Sequence, residues 1–480
     1  MSDRHLARTV EVPDGFVEQL GRACTAVITD DALLLEAGRD WWPLGLQWQY
    51  DGIVAARPAA VAHPSTGQEA ADVLRLCAEH GVPVTTAGGR SGVNGASVPI
   101  FGGVVLDMSG MAGIVDVDGV SLTVEVLPGT NGAEFESELR DRHGITCGHW
   151  PQSIAISTVG GWLACRGAGQ LSTRYGKVED MVVGLEVALA DGSILRTGGA
   201  PRSAVGPDLT QLFVGSEGTL GVITSARLRA HPAPPATWFG AWGFPTFEAG
   251  LQVCRRVLQR GATPAVLRLY DAIEGDRSYQ TGDRAVLLVL DEGDDHVIDA
   301  TSAVVAEECS GAERLGDALV ERWMGHRNDV SALHDLTQKG FALDTMEIAA
   351  PWAALPAIYA RCLTALGDVP GMLTASAHQS HAYTDGACLY FTFVGKPELD
   401  QREAFYVQAW DAAQRTAIDA GAALSHHHGV GLNRGRFMEQ ALGPTGLAVL
   451  QSVKDALDPA GVLNPGKLGL RSPFGEVRWP

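Results

Sequence analysis

The chain has 480 residues, and 36 Lys and Arg against 56 Asp and Glu leave a formal charge of −20 at neutral pH. That acidic balance, with no basic run to offset it, argues against nucleic acid or an anionic membrane as partner. Hydrophobic residues at 46% and charged residues at 19% exclude a disordered chain, and the length predicts about three structural units.

Residues 1–50 read as an N-terminal segment and residues 51–235 as a first large unit, in which short β-rich runs alternate with glycine turns. Thr66 opens a helix, with Glu69 three residues on as in a capping box; Ala70, Val73, Leu74 and Cys77 form its buried face. A strand over 82–86 runs into Ala87-Gly88-Gly89-Arg90-Ser91-Gly92-Val93-Asn94-Gly95. Further strands are expected over 103–107, 122–127 and 182–190, the last turning at Asp191-Gly192. Pro234-Pro235 marks a junction. Residues 236–425 read as a second α/β unit with strands near 285–290 and 388–394. A closing segment, 426–480, opens on His426-His427-His428-Gly429-Val430-Gly431 and carries a helix from about 444 to 457. The class is α+β.

Eight scattered cysteines without a CxxC pair predict reduced, mostly buried thiols. The first residues show no apolar signal-peptide core, and no apolar run approaches the length of a membrane span. A cytoplasmic protein is expected, with a homodimer as the candidate assembly and a small molecule as substrate.

The loop 87–95 follows a strand, and its small residues let backbone N–H groups converge on an anion. It is neither a Rossmann nor a Walker loop: Val98-Pro99 interrupts any following helix, and no Gly-Lys-Ser/Thr is present. Two further glycine–hydroxyl segments, 151–162 and 215–224, make a common ligand the better reading. The run GGRSGVNG, DMSGM, STVGGW, RYGKVEDMV and GSEGTLGVIT resembles the FAD-binding domain of PCMH-type, or vanillyl-alcohol-oxidase, flavoproteins over about residues 50–235. The resemblance implies two α/β FAD-binding subdomains, an α/β cap domain and a C-terminal helical return.

It assigns Gly88, Gly89, Arg90, Ser91, Gly92 and Val93 to the FAD phosphates, with Pro151, Gln152 and Ser153 wrapping the diphosphate. Ser157, Thr158, Gly161, Trp162 and Ile223 would lie along the rest of the cofactor, with Glu217, Gly218 and Gly221 of the third segment. Relatives that attach FAD covalently use a His in the first loop or a Cys near the second. Here the first loop has no His and Cys165 reads as a buried thiol, so non-covalent FAD is expected.

His426, His427 and His428 invite a metal reading. Consecutive side chains alternate in a strand and diverge by about 100° on a helix, which argues against one ion facing all three. The 2-hydroxy-acid dehydrogenases of the superfamily hold a metal where this chain has Tyr390 and His427, and both replacements remove ligands. No metal is expected.

DWWPL (40–44), STVGGW, EIAAPW (347–352), GACLYF and SHHHGVG are similar to the alkyldihydroxyacetonephosphate synthase family over about 38–468. That family exchanges an acyl group for a fatty alcohol without net redox change. The resemblance implies His149, Tyr390, His426, His427 and His428 as catalytic groups. The chain departs from the family at His334 and His231, where arginines are usual, and at Gln152 in place of Asp. Arg327, His334 and Arg434 are the substrate-binding candidates. Losing two guanidiniums weakens the case for a phosphorylated substrate. Three readings stand at this point: an FAD oxidoreductase acting on an activated C–H of a small unphosphorylated substrate, an alkylglycerone-phosphate synthase, and a flavin-binding protein without catalysis.

Overall fold

A computed structural model describes residues 2, 3 and 7–477, with the side chains of 7–330 and 335–477. Three parallel strands, Ala60–His63, Val104–Asp107 and Val84–Ala87, form a small sheet with Ala26–Ile28 antiparallel at its edge. The helix Gly67–His80 covers it. Thr66 caps that helix by accepting from Glu69 N at 3.1 Å, and Gly81 ends it in the left-handed region at φ +63°. Ala70, Val73, Leu74 and Cys77 lie buried beneath it. The glycine loop leaves the carboxyl end of Val84–Ala87, the end of a parallel strand at which open α/β sheets bind ligands.

A second, antiparallel sheet of five strands follows, built around Val182–Ala188 and Val222–Arg229. Ile194–Arg196 pairs with Val182–Ala188 across the turn expected at Asp191-Gly192. His231–Pro232 then pairs with Ile145–Thr146, and at Ala236 the chain enters a third sheet.

The third sheet has seven strands with every pairing antiparallel. Its period-two alternation separates two faces. Leu267, Leu269, Ile348, Leu389, Phe391 and Phe393 join the largest apolar cluster, in which helices Phe247–Gln259, Leu355–Gly367 and Arg402–Asp419 take part. Arg268, Tyr270, Glu347, His378 and Tyr390 fall on the other face. Register makes them neighbours: Tyr270 lies opposite His378, His378 opposite Tyr390, and Tyr390 opposite Glu347.

The closing helix runs Met438–Leu457, longer than expected, because two helical segments join across a kink at Gly443, φ +71°, just before Pro444. Lys454 then ties the return segment to the third glycine segment, donating to Thr219 O at 2.8 Å and Leu463 O at 2.7 Å. Among the described residues no helix is long and apolar enough to cross a membrane.

Candidate active site

The first two glycine segments touch. A Cβ on Gly88 would meet Thr158 Oγ1 at 2.4 Å, and one on Gly89 would meet Ile156 O at 2.0 Å. The N–H groups of Gly89 through Val93 have no acceptor among the described residues, and the buried Thr158 Oγ1 has no partner there. Unpaired donors gathered beside an orphan hydroxyl suit a diphosphate, so the residues present fit the FAD that the sequence led us to expect. Arg90, at φ +50°, turns its guanidinium away to pair with Asp107 at 2.6 Å, leaving its backbone to the loop.

The histidine segment meets the third sheet at Tyr390. The Tyr390 Oη lies 2.6 Å from His427 Nε2 and 3.4 Å from His428 Nε2. His426 Nδ1 lies 2.8 Å from His427 Nδ1, and Tyr383 Oη lies 2.9 Å from His426 Nε2. A register shift between Gln379 and Ala382 re-aims His381 onto this face. There it stacks on His426, centroids 5.0 Å apart, with its Nδ1 2.7 Å from Ser172 Oγ.

Burial first, and then the neighbouring cations and imidazoles, depress the histidines: His426 to about 3, and His381 and His427 well below the usual value. Burial lowers His428 to about 4, with Glu347 partly opposing and Arg434 assisting. Burial pushes the Tyr390 phenol well above its usual value. All these rings are therefore neutral at pH 7. A neutral imidazole donates at one nitrogen and accepts at the other. Tyr383, His426, His427 and Tyr390 thus form a row in which a proton taken up at one end is matched by one released at the other.

Two carboxylates hold the segment in place. Glu347, fully buried, accepts from His428 N at 2.9 Å, Ser425 Oγ at 2.8 Å, Arg434 Nη1 at 2.7 Å and His426 N. Glu217, from the third glycine segment, accepts from Val430 N at 2.6 Å and Gly431 N at 2.8 Å. Lys177 Nζ donates to His426 O at 2.7 Å.

The structure brings Tyr390, His426, His427 and His428 together and leaves His149 outside that row. His149 is buried, packed on Trp162 at 4.5 Å, with no partner for either ring nitrogen among the described residues, and burial lowers it to about 3. Trp162 lies in the apolar core of the second sheet and donates to Ser157 Oγ at 2.7 Å, which gives it a scaffold role there. Ile223 belongs to the same core, and Glu217 serves the histidine segment. Gln152 is exposed and donates to Asp329 O at 3.0 Å.

Arg434 is neither a surface charge nor a substrate ligand, because both of its amino groups are committed to Glu347 and the backbone inside the core. Arg327 stacks on Trp150 and Trp323 at 5.0 and 5.5 Å. The His334 side chain lies outside the described residues. The histidines also converge more than their consecutive positions predict. Residues 426–428 form bends and not a strand or helix, and ligand atoms of His381, His426 and His427 come within 4.8 Å of one another.

Sequence reasoning missed Arg268, His378, His381, Tyr383 and Lys177. Arg268, Tyr270 and His378 stand at period-two positions on strands, but nothing in the sequence places those strands beside the one that carries Tyr390.

The family description "FAD linked oxidases, C-terminal domain" matches residues 233–468, and "FAD binding domain" matches residues 58–198. The chain is 30% identical over 434 residues to the uncharacterized FAD-linked oxidoreductase YgcU of Escherichia coli (strain K12), covering 86% of this chain and 89% of that one. It is 28% identical over 456 residues to the alkyldihydroxyacetonephosphate synthase of Dictyostelium discoideum, covering 87% and 74%. A solved alkyldihydroxyacetonephosphate synthase superposes with a TM-score of 0.80 at 25% identity, over 96% of this chain and 87% of that one.

Proposed function

The chain belongs to the FAD-linked oxidoreductases, with FAD as its cofactor, and on that premise we propose that it oxidises an activated C–H of a small, unphosphorylated substrate. The observation that carries this reading is the neutral row Tyr383–His426–His427–Tyr390, which supplies proton acceptors in an enclosed site. Bound against the glycine segments, FAD supplies a two-electron acceptor at flavin N5. Tyr390 Oη, held by His427, takes up the proton that leaves substrate as its own passes to His427 Nε2, and the row carries a proton on toward Tyr383. Glu347 fixes the backbone of His426 and His428, and Glu217 that of Val430 and Gly431 just beyond.

In this reading FAD is held without a covalent bond. Cys165, the cysteine beside the second glycine segment, donates to Trp162 O at 3.6 Å, and burial with the nearby Glu217 pushes its thiol up to about 12, far from a reactive thiolate. We further place the FAD-binding unit at residues 51–235, the cap at 236–425 and the closing segment at 426–480, with a homodimer as the assembly and the cytoplasm as the compartment.

A second reading, alkylglycerone-phosphate synthase chemistry, is favoured by the likeness to synthases over most of the chain. Against it, Arg434 is consumed by Glu347 and Arg327 by two indoles. Anaerobic mixing of the yellow protein with hydroxy and amino acids, and separately with acyl-dihydroxyacetone phosphate, separates the two.

A further inference from the structure

The strand Val266–Tyr270 carries Arg268 on the same face of the sheet as Tyr390. Two contacts pin its guanidinium. Arg268 Nε donates to Tyr270 Oη at 2.7 Å, and Arg268 Nη2 lies 2.7 Å from His378 Nε2. A guanidinium only donates, so His378 Nε2 accepts and the ring proton sits on Nδ1. That proton is donated to Glu274 Oε1 at 3.0 Å. Burial would raise the Glu274 carboxyl, but His378 with Arg277 and Arg268 outweighs it and holds it down to about 2. Glu274, His378 and Arg268 therefore form one polarised chain in which each hydrogen bond fixes the next.

The His378 ring stacks on Tyr390, centroids 4.7 Å apart and planes within 14°. The Arg268 charge also acts on Tyr390 and His381. The remaining amino group, Nη1, has no hydrogen-bond partner among the described residues. It is also absent from the enclosed orphan atoms, so it keeps some exposure. A cation oriented this firmly, with one donor face open beside the proton-carrying row, is arranged for an oxyanion.

We propose that Arg268, positioned by His378 and Glu274, binds an oxyanion of the substrate, a carboxylate where the substrate is unphosphorylated, and so sets the end of the substrate that lies away from the reacting C–H. The proposal deepens the oxidoreductase reading and rests on it only for placing substrate at the flavin.

The test is equilibrium binding to the FAD-loaded protein, read by perturbation of the flavin spectrum and by calorimetry, with oxalate and inorganic phosphate as separate probes. Saturable binding of oxalate is expected; saturable binding of phosphate in its place keeps the anchor and overturns the reading of an unphosphorylated substrate. Arg268→Met should raise the bound probe's dissociation constant about ten- to a hundred-fold, the range for hydrogen bonds to a charged group, with flavin content unchanged. If Arg268→Met does not fold, Arg268→Lys replaces it with the same criterion, since an ammonium lacks the planar fork. Binding of neither probe, or unchanged affinity in a folded variant, overturns the proposal. Acids that bleach the flavin equally well in wild type and variant overturn the anchor alone. Probe binding lost in the variant, with no substrate bleaching the wild type, sinks the oxidase reading and leaves the anchor standing.

Discussion

Glu347 and Arg434 form an ion pair 2.7 Å apart with both side chains fully enclosed. The carboxylate simultaneously gathers the N–H groups of His426 and His428, so the pair sets the shape of the histidine segment from within the core. Removing one partner of such a pair leaves an uncompensated buried charge, at a cost of about 3–5 kcal/mol. Arg434→Met should lower the urea midpoint accordingly and loosen residues 426–431 in hydrogen exchange. A variant as stable as wild type would show that the pair is not the support described.

Tyr390→Phe removes one oxygen from a ring that stays stacked on His378. The phenol makes its hydrogen bonds to His427 and His428 and none to the glycine segments. The variant should keep its FAD and its stability while flavin reduction by substrate slows about a hundred- to ten-thousand-fold. Reduction at the wild-type rate would remove Tyr390 from the proton row.

Gly89→Ala tests the diphosphate cradle. The added methyl would meet Ile156 O at 2.0 Å and Ser157 Cα at 3.1 Å, and both are backbone atoms with little room to yield. The variant should purify with a clearly reduced flavin-to-protein absorbance ratio. Full FAD occupancy would place the diphosphate elsewhere.

Acid should act through the buried histidines. Each is depressed in the folded state, so below the ordinary histidine range the unfolded chain binds protons that the fold refuses. Stability therefore falls as pH drops from about 6.5 toward the folded values. For His426, lowered to about 3 by burial and Lys177, the loss between pH 6.5 and 5 is on the order of 2 kcal/mol. Urea midpoints across this range should fall with net proton uptake on unfolding, and His426→Asn should flatten the slope. A flat profile in wild type would mean that the histidines are solvated.

How much of this is legible in the sequence depends on range. The Thr66 cap, the Asp191-Gly192 turn and the glycine loop are local, and each can be read from a few adjacent residues. Tyr390 and the three histidines stand out because their motifs are contiguous. Arg434 misleads because a guanidinium suggests a ligand for a substrate anion, whereas its partner is Glu347, 87 residues away. His381 depends on a register shift, and Arg268 on a strand order that places Val266–Tyr270 beside Met372–Ala382. Neither leaves a trace in periodicity. Trp162 lies close to a cofactor motif in sequence yet packs in the core of the second sheet, and the His149 ring packs on it.

The flavin's linkage has a direct readout. Precipitating the holoprotein with acid should release all yellow colour to the supernatant, as expected with Cys165 protonated and no histidine in the first loop. Colour retained in the pellet would mean a covalent bond.

The most direct test of the oxidoreductase assignment is an anaerobic stopped-flow experiment on the FAD-loaded protein. Mixed with a panel of small hydroxy and amino acids, the flavin band should bleach and stay bleached until air is admitted. If instead only acyl-dihydroxyacetone phosphate bleaches the band, and colour returns on adding a fatty alcohol without any oxidant, the protein is a synthase and the account of net substrate oxidation is wrong.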